Sequence, residues 1–599
     1  MKHLHPCLAV SIAVLALTSL SALSQMPSCH SMASKGAQVA PADLPVPQKL
    51  TGVGNLHFPI SSRNPETQAW FDQGINLVYD FWDYEADRAF EQAIRTDPDC
   101  AICQWGLSQS LGSHNFEVAG YAHQALMQAN ALRKHADKRE RLYIDEALAE
   151  EASSGEDNSS DQQTKILRQL VHKFPHDLVA QLMLSDALGD GYKDGKPNKG
   201  TQEKIEILQG ILKQDPNNSA ANHLWIHAVE PSPHPEQALA SAALLASLAP
   251  ASGHMTHMPG HIFYRTGDYE RAQVSFDLSE SVDEAYLKTQ HIDPDNDWNY
   301  VHNLMYSIAN LLELGQMNQA ATVSSHLATA RGSRATTAYP WSTRDSITRI
   351  SLPLPIALRL GDWAGVQSLL AKSNPTELPG NLKTLASALA AFAAGMNDLA
   401  GKRFDSAQTH STALDAQLWQ ITQQLEEQKA AAKKQPKTEA KPENKPQSID
   451  PELAPMLSNL SIMSLELRGA ILIASGKLPE AKPLFAQARR QEQELGYHEP
   501  PAFIRPAAEI EADLLLTAGQ PKEAEAAWQL ALEDRPNSGF PLYGLARAAE
   551  DSRDNSKTQA AYRQFLTAWK TADPELPQVQ HAQAWLTAHS TQTASIGEN

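Results

Sequence analysis

Small and aromatic residues recur at fixed intervals along much of this chain. Gly74 and Ala86 lie 12 residues apart, and further steps of 4, 3 and 5 residues lead to Phe90, Ala93 and Pro98. Small residues allow two helices to approach closely, an aromatic residue fills the space between them, and a proline ends the second helix. The pattern therefore predicts a helix-turn-helix unit that stacks on neighbouring units.

The same spacing returns in later segments of the chain. The copies are Gly260, Ala272, Phe276; Gly469, Ala481, Phe485, Ala488; Ala512, Ala524, Trp528, Ala531, Pro536; and the weaker Ala561, Phe565, Ala568. No segment shows the sustained alternation that is typical of a β-strand. Repetition of one helical unit indicates an all-α fold.

These units resemble the tetratricopeptide repeat (TPR) family, whose 34-residue units stack into a right-handed superhelix. The resemblance implies an all-α TPR solenoid that binds a protein or peptide partner in its concave groove. Three segments between residues 60 and 320 are similar to those of a group of exported bacterial TPR proteins of unestablished activity: DPDCAICQWG, IHAVEPSPHPE and GHMTHMPGHIFYRTGDY. This second resemblance implies a placement within the family and no particular chemistry.

The N-terminus is typical of an exported protein. Lys2 precedes an apolar stretch over residues 8–23, and the small residues that follow predict signal-peptide cleavage after Ser24. We therefore expect a periplasmic or secreted protein, with no transmembrane span after cleavage. An uncleaved N-terminal anchor and lipid attachment at Cys29 are the alternatives.

Composition divides the chain into five parts. The predicted parts are a signal peptide (1–24), a flexible leader rich in Pro, Ser and Ala (25–60), an N-terminal TPR array (61–425), a Lys/Pro/Glu-rich linker (426–452) and a C-terminal TPR array (453–590). The linker has no apolar face, so we expect it to be disordered or partly helical.

Charge and cysteine content restrict the partners and the chemistry. Fifty Lys and Arg residues against 69 Asp and Glu give a net charge of −19, which argues against a nucleic-acid partner. Cys100 and Cys103 are one helical turn apart, and Gln104 follows them where a haem-attachment motif requires histidine. Packed thiols and a disulfide formed in an oxidising compartment both remain open for this pair.

Histidines are concentrated in one segment: six of the 22 lie between residues 223 and 261. Spacings of three and four residues place His223, His227 and Glu230 on one helical face, and the same spacings align a second set. The TPR register directs both sets, and one later histidine, toward the concave groove. The candidate site therefore contains His223, His227, Glu230, His254, His257, His261 and His302.

This set of side chains is typical of a transition-metal site. Neutral imidazole and carboxylate suit Zn or Cu better than Ca or Mg. The alternative is a polar groove in which the histidines form hydrogen bonds or receive acidic residues of a partner. Metal-assisted catalysis would require an open coordination position and a base, for which Glu230 is the one candidate. We predict no catalytic residue, and a role other than that of an enzyme is favoured.

Overall fold

A computed structural model describes residues 39–113, 119–153, 159–189, 191–193, 195–292, 294, 297–330, 343–373, 378, 380–433, 453–501 and 504–590. The predicted signal peptide, Cys29, the first part of the predicted leader and residues 434–452 of the predicted linker lie outside these ranges.

Within the described ranges the chain forms 26 α-helices. The first half contains α1 Pro65–Tyr79, α2 Asp83–Thr96, α3 Ala101–Ser113, α4 Ala119–Ala131, α5 Lys138–Ser153, α6 Ser159–Lys173, α7 Leu178–Ala187, α8 Lys199–Gln214, α9 Ser219–Val229, α10 Leu239–Leu248, α11 Gly253–Arg265, α12 Tyr269–Gln290 and α13 Trp298–Leu314. The second half contains α14 Met317–Ala330, α15 Thr343–Ile350, α16 Leu354–Leu360, α17 Trp363–Lys372, α18 Gly380–Ala400, α19 Phe404–Lys433, α20 Leu453–Ala474, α21 Leu478–Glu494, α22 Ala507–Thr517, α23 Pro521–Asp534, α24 Gly539–Asp551, α25 Asn555–Ala568 and α26 Pro577–Ser590.

Little other regular structure accompanies these helices. Two short 3-10 helices span Pro41–Asp43 and Pro235–Ala238. Two-residue strands, β1 Tyr192–Lys193 and β2 Lys196–Pro197, pair antiparallel in the loop before α8. The prediction of an all-α fold is confirmed.

Sequential helices pack in pairs around the small and aromatic residues of the repeat. A Cβ atom at Gly74 of α1 would lie 2.7 Å from the ring of Phe90 on α2, and one at Gly260 of α11 would lie 2.4 Å from the ring of Phe276 on α12. Both distances are shorter than a carbon–carbon contact allows, so the close approach of each helix pair requires glycine. The predicted TPR-type packing is therefore present at these positions.

The second part of the predicted leader is ordered against the first helix. The side chain of Asn76 bonds both the backbone N–H and the carbonyl oxygen of Leu56, each at 2.8 Å, and Phe58 is buried. Because Asn76 satisfies the backbone of this extended segment, the segment lies against α1 without strand pairing. The start of the predicted linker is helical, since α19 continues as one helix to Lys433.

A buried ion network joins the C-terminal helices to the middle of the chain. Glu313 on α13 binds Arg359 at 2.9 Å, Arg535 at 2.6 Å and the Ser538 hydroxyl at 2.6 Å, and Arg359 also pairs with Glu509. Burial alone would raise the pKa of Glu313, but the two arginines lower it to about 2. The network therefore holds the two predicted arrays in direct contact through charged groups.

Cys100 and Cys103, at the start of α3, form a disulfide. Of the two alternatives that the sequence left open for this pair, the structure contains the disulfide.

Among the described residues, the segment Met456–Ala474 of α20 is long and apolar enough to cross a membrane, with a mean hydropathy of 1.3. Because 61% of it is buried inside the protein, its apolar character is also that of a core helix.

Removal of Arg359 tests the ion network. We expect Arg359→Met to lower the free energy of unfolding by about 3–5 kcal/mol, because the substitution removes the ion-pair partner of buried Glu509 and one of the two cations at Glu313. The exposed pair of Arg168 with Glu203 provides the control, and Arg168→Met is expected to cost less than about 1 kcal/mol. Urea denaturation measures both, and equal losses would contradict the interpretation.

The buried carboxyl of Glu146 on α5 is expected to make the stability of the fold depend on pH. Burial, with a smaller contribution from Glu150, raises its pKa to about 8. Protonated Glu146 therefore stabilises the fold below its unfolded pKa, and this stability is lost as the pH rises through about 8. We expect Glu146→Gln to match the wild type at pH 5 and to melt at a higher temperature at pH 9. The exposed Glu426→Gln control should show no such pH-dependent gain.

Candidate metal centre

Three helices place the predicted site residues. Helices α9, α11 and α13 are the first helices of successive pairs and contact one another in order. Each begins at a side chain that accepts a hydrogen bond from a backbone N–H of its first turn: Asn218, Ser252 and Asp297. Helix α9 carries His223 and His227 and ends at Glu230, α11 carries His254, His257 and His261, and α13 carries His302.

The structure brings all seven predicted residues together inside the protein. The side chain of His227 is 12% exposed, and the other six residues are 3% exposed or less. The side chains therefore do not line an open groove. A buried polar cluster needs internal partners, because water is not available to satisfy it.

The six histidines form two groups of three. The first triad is His223, His227 and His254, and the second triad is His257, His261 and His302. Within each triad, one ring nitrogen per residue lies within 4.8 Å of the others. His223 and His227 precede His257 and His261 by 34 residues, so two histidines of each triad come from equivalent positions of consecutive repeats.

Two asparagines on α13 orient one histidine of each triad. His254 Nδ1 lies 3.0 Å from Asn299 Oδ1, and His257 Nδ1 lies 2.7 Å from Asn303 Oδ1. The amide nitrogen of Asn299 donates to Asp283, and that of Asn303 donates to a backbone carbonyl at 2.9 Å, which fixes both amide orientations. Each asparagine therefore presents an acceptor, and each imidazole carries its proton on Nδ1.

The remaining Nδ1 contacts lead to the same tautomer. His223 Nδ1 donates to the carbonyl oxygen of Tyr79 at 2.6 Å. Glu230 accepts from Nδ1 of His227 and from Nδ1 of His261, both at 2.8 Å. Because an ionised carboxylate and a carbonyl only accept, these rings also carry the proton on Nδ1. One carboxylate thus connects the two triads.

The charge states support this assignment. Burial alone would raise the pKa of Glu230, but the neighbouring His261 and His227 hold it well below its usual range. Burial lowers the pKa of His254, His257 and His302 well below the usual value, and nearby histidines lower each one further. These three imidazoles are therefore neutral near pH 7.

Nε2 atoms of neighbouring histidines face each other within each triad. Nε2 of His223 lies 3.1 Å from Nε2 of His227, and Nε2 of His257 lies 2.7 Å from Nε2 of His261. Nε2 of His254 is buried with no hydrogen-bond partner. Each short contact between two Nε2 atoms requires a cation between their lone pairs, which is either a proton carried by one ring or a metal ion bound by both. Bonds of about 2.0–2.1 Å in a tetrahedral arrangement separate two ligand nitrogens by about 3.3 Å.

Two residues from the C-terminal half also reach the site, and sequence analysis did not identify them. Tyr497 donates from its hydroxyl to Glu230 at 3.0 Å. Glu499 lies 3.8 Å from Nδ1 of His261 and 3.7 Å from Nε2 of His302. These residues lie between α21 and α22, more than 230 residues after the last histidine of α11, and no local motif marks them.

Other residues around the site carry a weak sequence signal. Asn299 and Asn303 are four residues apart, which places both on the face of α13 that carries the site. The ring of Phe81, in the turn after α1, lies 4.6–5.4 Å from the rings of the first triad. Phe81 has a φ of 56°, a left-handed conformation that places its ring against the histidines.

No family model and no curated protein sequence matches the chain. Among solved structures, yeast Tom70 is similar with a TM-score of 0.31 and 12% identity, over 90% of this chain and 98% of that one. The Cut9 and Hcn1 complex of the APC/C is similar with a TM-score of 0.25 and 11% identity, over 79% of this chain and 88% of that one. The TPR domain of P58(IPK) is similar with a TM-score of 0.19 and 11% identity, over 82% of this chain and 99% of that one.

At these TM-scores the superpositions carry no argument about function. The TPR-type architecture of the chain rests on its own helix pairs, in which glycine faces an aromatic ring across each of the two contacts measured above.

Proposed function

We propose that this chain is an exported, metal-binding TPR solenoid, in which each histidine triad holds one transition-metal ion. The observation that carries the proposal is the pair of facing Nε2 atoms in each triad, 3.1 Å apart in the first and 2.7 Å apart in the second. Nδ1 of five of the six histidines is held by an acceptor, which leaves Nε2 as the ring nitrogen that can bind a metal ion.

Two ions fit the arrangement better than one. Each triad supplies three nitrogens, which is the usual number of protein ligands at a metal that keeps one further position. Glu230 contacts one histidine of each triad from the outer side, so it orients both sets of ligands. A full set of nitrogen ligands favours Zn or Cu over Ca or Mg.

Export is supported by the apolar N-terminal segment and by the Cys100–Cys103 disulfide, since disulfides persist in oxidising compartments. The enclosed site favours ion binding over the turnover of a large substrate, because Tyr497 and Glu499 cover it. Catalytic metal sites keep an open position that a substrate can reach.

Binding of a protein or peptide partner is the second candidate function. The observation that favours it is the helix-pair solenoid, since such folds present extended surfaces to partners. The partner would bind outside the histidine cluster, which is filled by the chain itself. Recovery of a specific envelope protein on the immobilised full chain would support this role, and saturable binding should survive removal of metal by a chelator.

Metal content tests the main proposal. Full-length protein exchanged into Zn²⁺ and desalted should contain about two ions per chain by elemental analysis. The double variant His223→Ala, His254→Ala removes two ligands of the first triad and should retain about one ion. His234→Ala is the matched control, because His234 lies in the same segment but is exposed and pairs with Glu236. Content near zero in the wild type would reject the proposal.

Orientation of His257 by Asn303 gives a second test. Asn303→Ala removes the acceptor for Nδ1, and we expect the affinity for one of the two ions to fall by about 10–100-fold. Asn310→Ala provides the control, since Asn310 is buried on the same helix but bonds Tyr269 and Gln273 outside the cluster. Calorimetric titration measures both affinities. Equal affinity in the two variants would show that Asn303 does not act on the metal ligands.

A further inference from the structure

The segment 495–501 lies over the two triads. It follows α21, which ends at Glu494, and it contributes two side chains to the site. Tyr497 bonds Glu230, and its ring also contacts the guanidinium of Arg265, with 5.5 Å between Cζ and the ring centre. Glu499 is 10% exposed and lies beside the second triad. The segment therefore forms the cover of the site on the side of the C-terminal half.

The carboxylate of Glu499 is within reach of both triads. One of its oxygens lies within 4.8 Å of ligand atoms of His227 and Glu230, and the same residue lies 3.7 Å from Nε2 of His302. His227 belongs to the first triad and His302 to the second. A carboxylate has two oxygens and can contact two ions at once. Glu499 is the one acidic residue of segment 495–501.

Charge gives a reason for a second carboxylate. Imidazole binds a metal ion in its neutral form, so two divalent ions would bring four positive charges into the buried site, where Glu230 supplies one negative charge. A buried excess charge is costly unless it is paired. Glu499 in contact with the ions reduces the excess, and without ions its approach to the ionised Glu230 brings two negative charges together. Metal therefore favours the closed position of the segment.

We propose that Glu499 is a ligand shared by the two ions, and that metal binding closes the 495–501 segment over the site. The inference rests on the proposed two-ion centre. In the metal-free protein the segment opens and gives ions a path to the triads. Helix α22 stays in place, because its Glu509 belongs to the buried network around Arg359, and Arg489 of α21 is tied to α22 by its ion pair with Glu511. The proposed movement is thus confined to residues 495–501.

Hydrogen exchange tests whether metal binding closes the 495–501 segment. We compare amide exchange of a peptide that covers 495–501 in full-length protein, first stripped with a chelator and then loaded with Zn²⁺, and we measure metal content on the same samples. Zn²⁺ is expected to slow exchange at least about tenfold in the wild type. In Glu499→Gln the triads should still hold about two ions, but exchange should remain at the metal-free rate.

Glu494→Gln is the matched control, because Glu494 is exposed at the end of α21 and does not contact the site. It should show the same protection by Zn²⁺ as the wild type. If two ions bind and exchange does not change, the proposed closure of the segment is wrong, whereas the proposed metal centre is supported. No bound metal in the wild type would overturn both. The comparison of stripped and loaded wild type is decisive even if a variant fails to fold.

Discussion

The buried pairing of Glu313 with Arg359 and Arg535 determines how the two halves of the chain meet. Glu313 and His302 lie on the same helix, so the helix that supplies a histidine to the second triad also anchors the C-terminal repeats. Because these charges are fully buried, their geometry is strictly required, and a displaced partner would leave an uncompensated ion. Tyr497 and Glu499, which lie beside the histidines, belong to the C-terminal part that this network ties to α13.

The centre concentrates polar groups where a solenoid normally places apolar ones. Asparagine, carboxylate and carbonyl acceptors satisfy five of the six Nδ1 positions on the outer side of the cluster. On the inner side, Nε2 atoms of neighbouring histidines contact one another, and Nε2 of His254 has no hydrogen-bond partner. That asymmetry is the basis of the proposed metal centre, because both ring nitrogens find separate partners in an ordinary buried hydrogen-bond network.

Local periodicity made the fold and most of the site predictable. The spacing of Gly260 and Phe276 required a close helix contact, and the three- and four-residue steps of the histidines required shared faces. Glu499 could not be found in this way, because its proximity depends on how distant repeats dock. The leader was misjudged in part for a related reason: the bonds of Asn76 to Leu56 are invisible to composition. The choice between an open groove and an enclosed cluster likewise depended on long-range packing.

Two histidines of each triad occupy the same positions in consecutive repeats, 34 residues apart. The stacking of one repeat on the next therefore sets the distance between the two triads. In the proposed two-ion centre, any load that twists the solenoid would alter this distance and with it the affinity for the pair of ions. By thermodynamic reciprocity, bound ions would stiffen the array against the same twist.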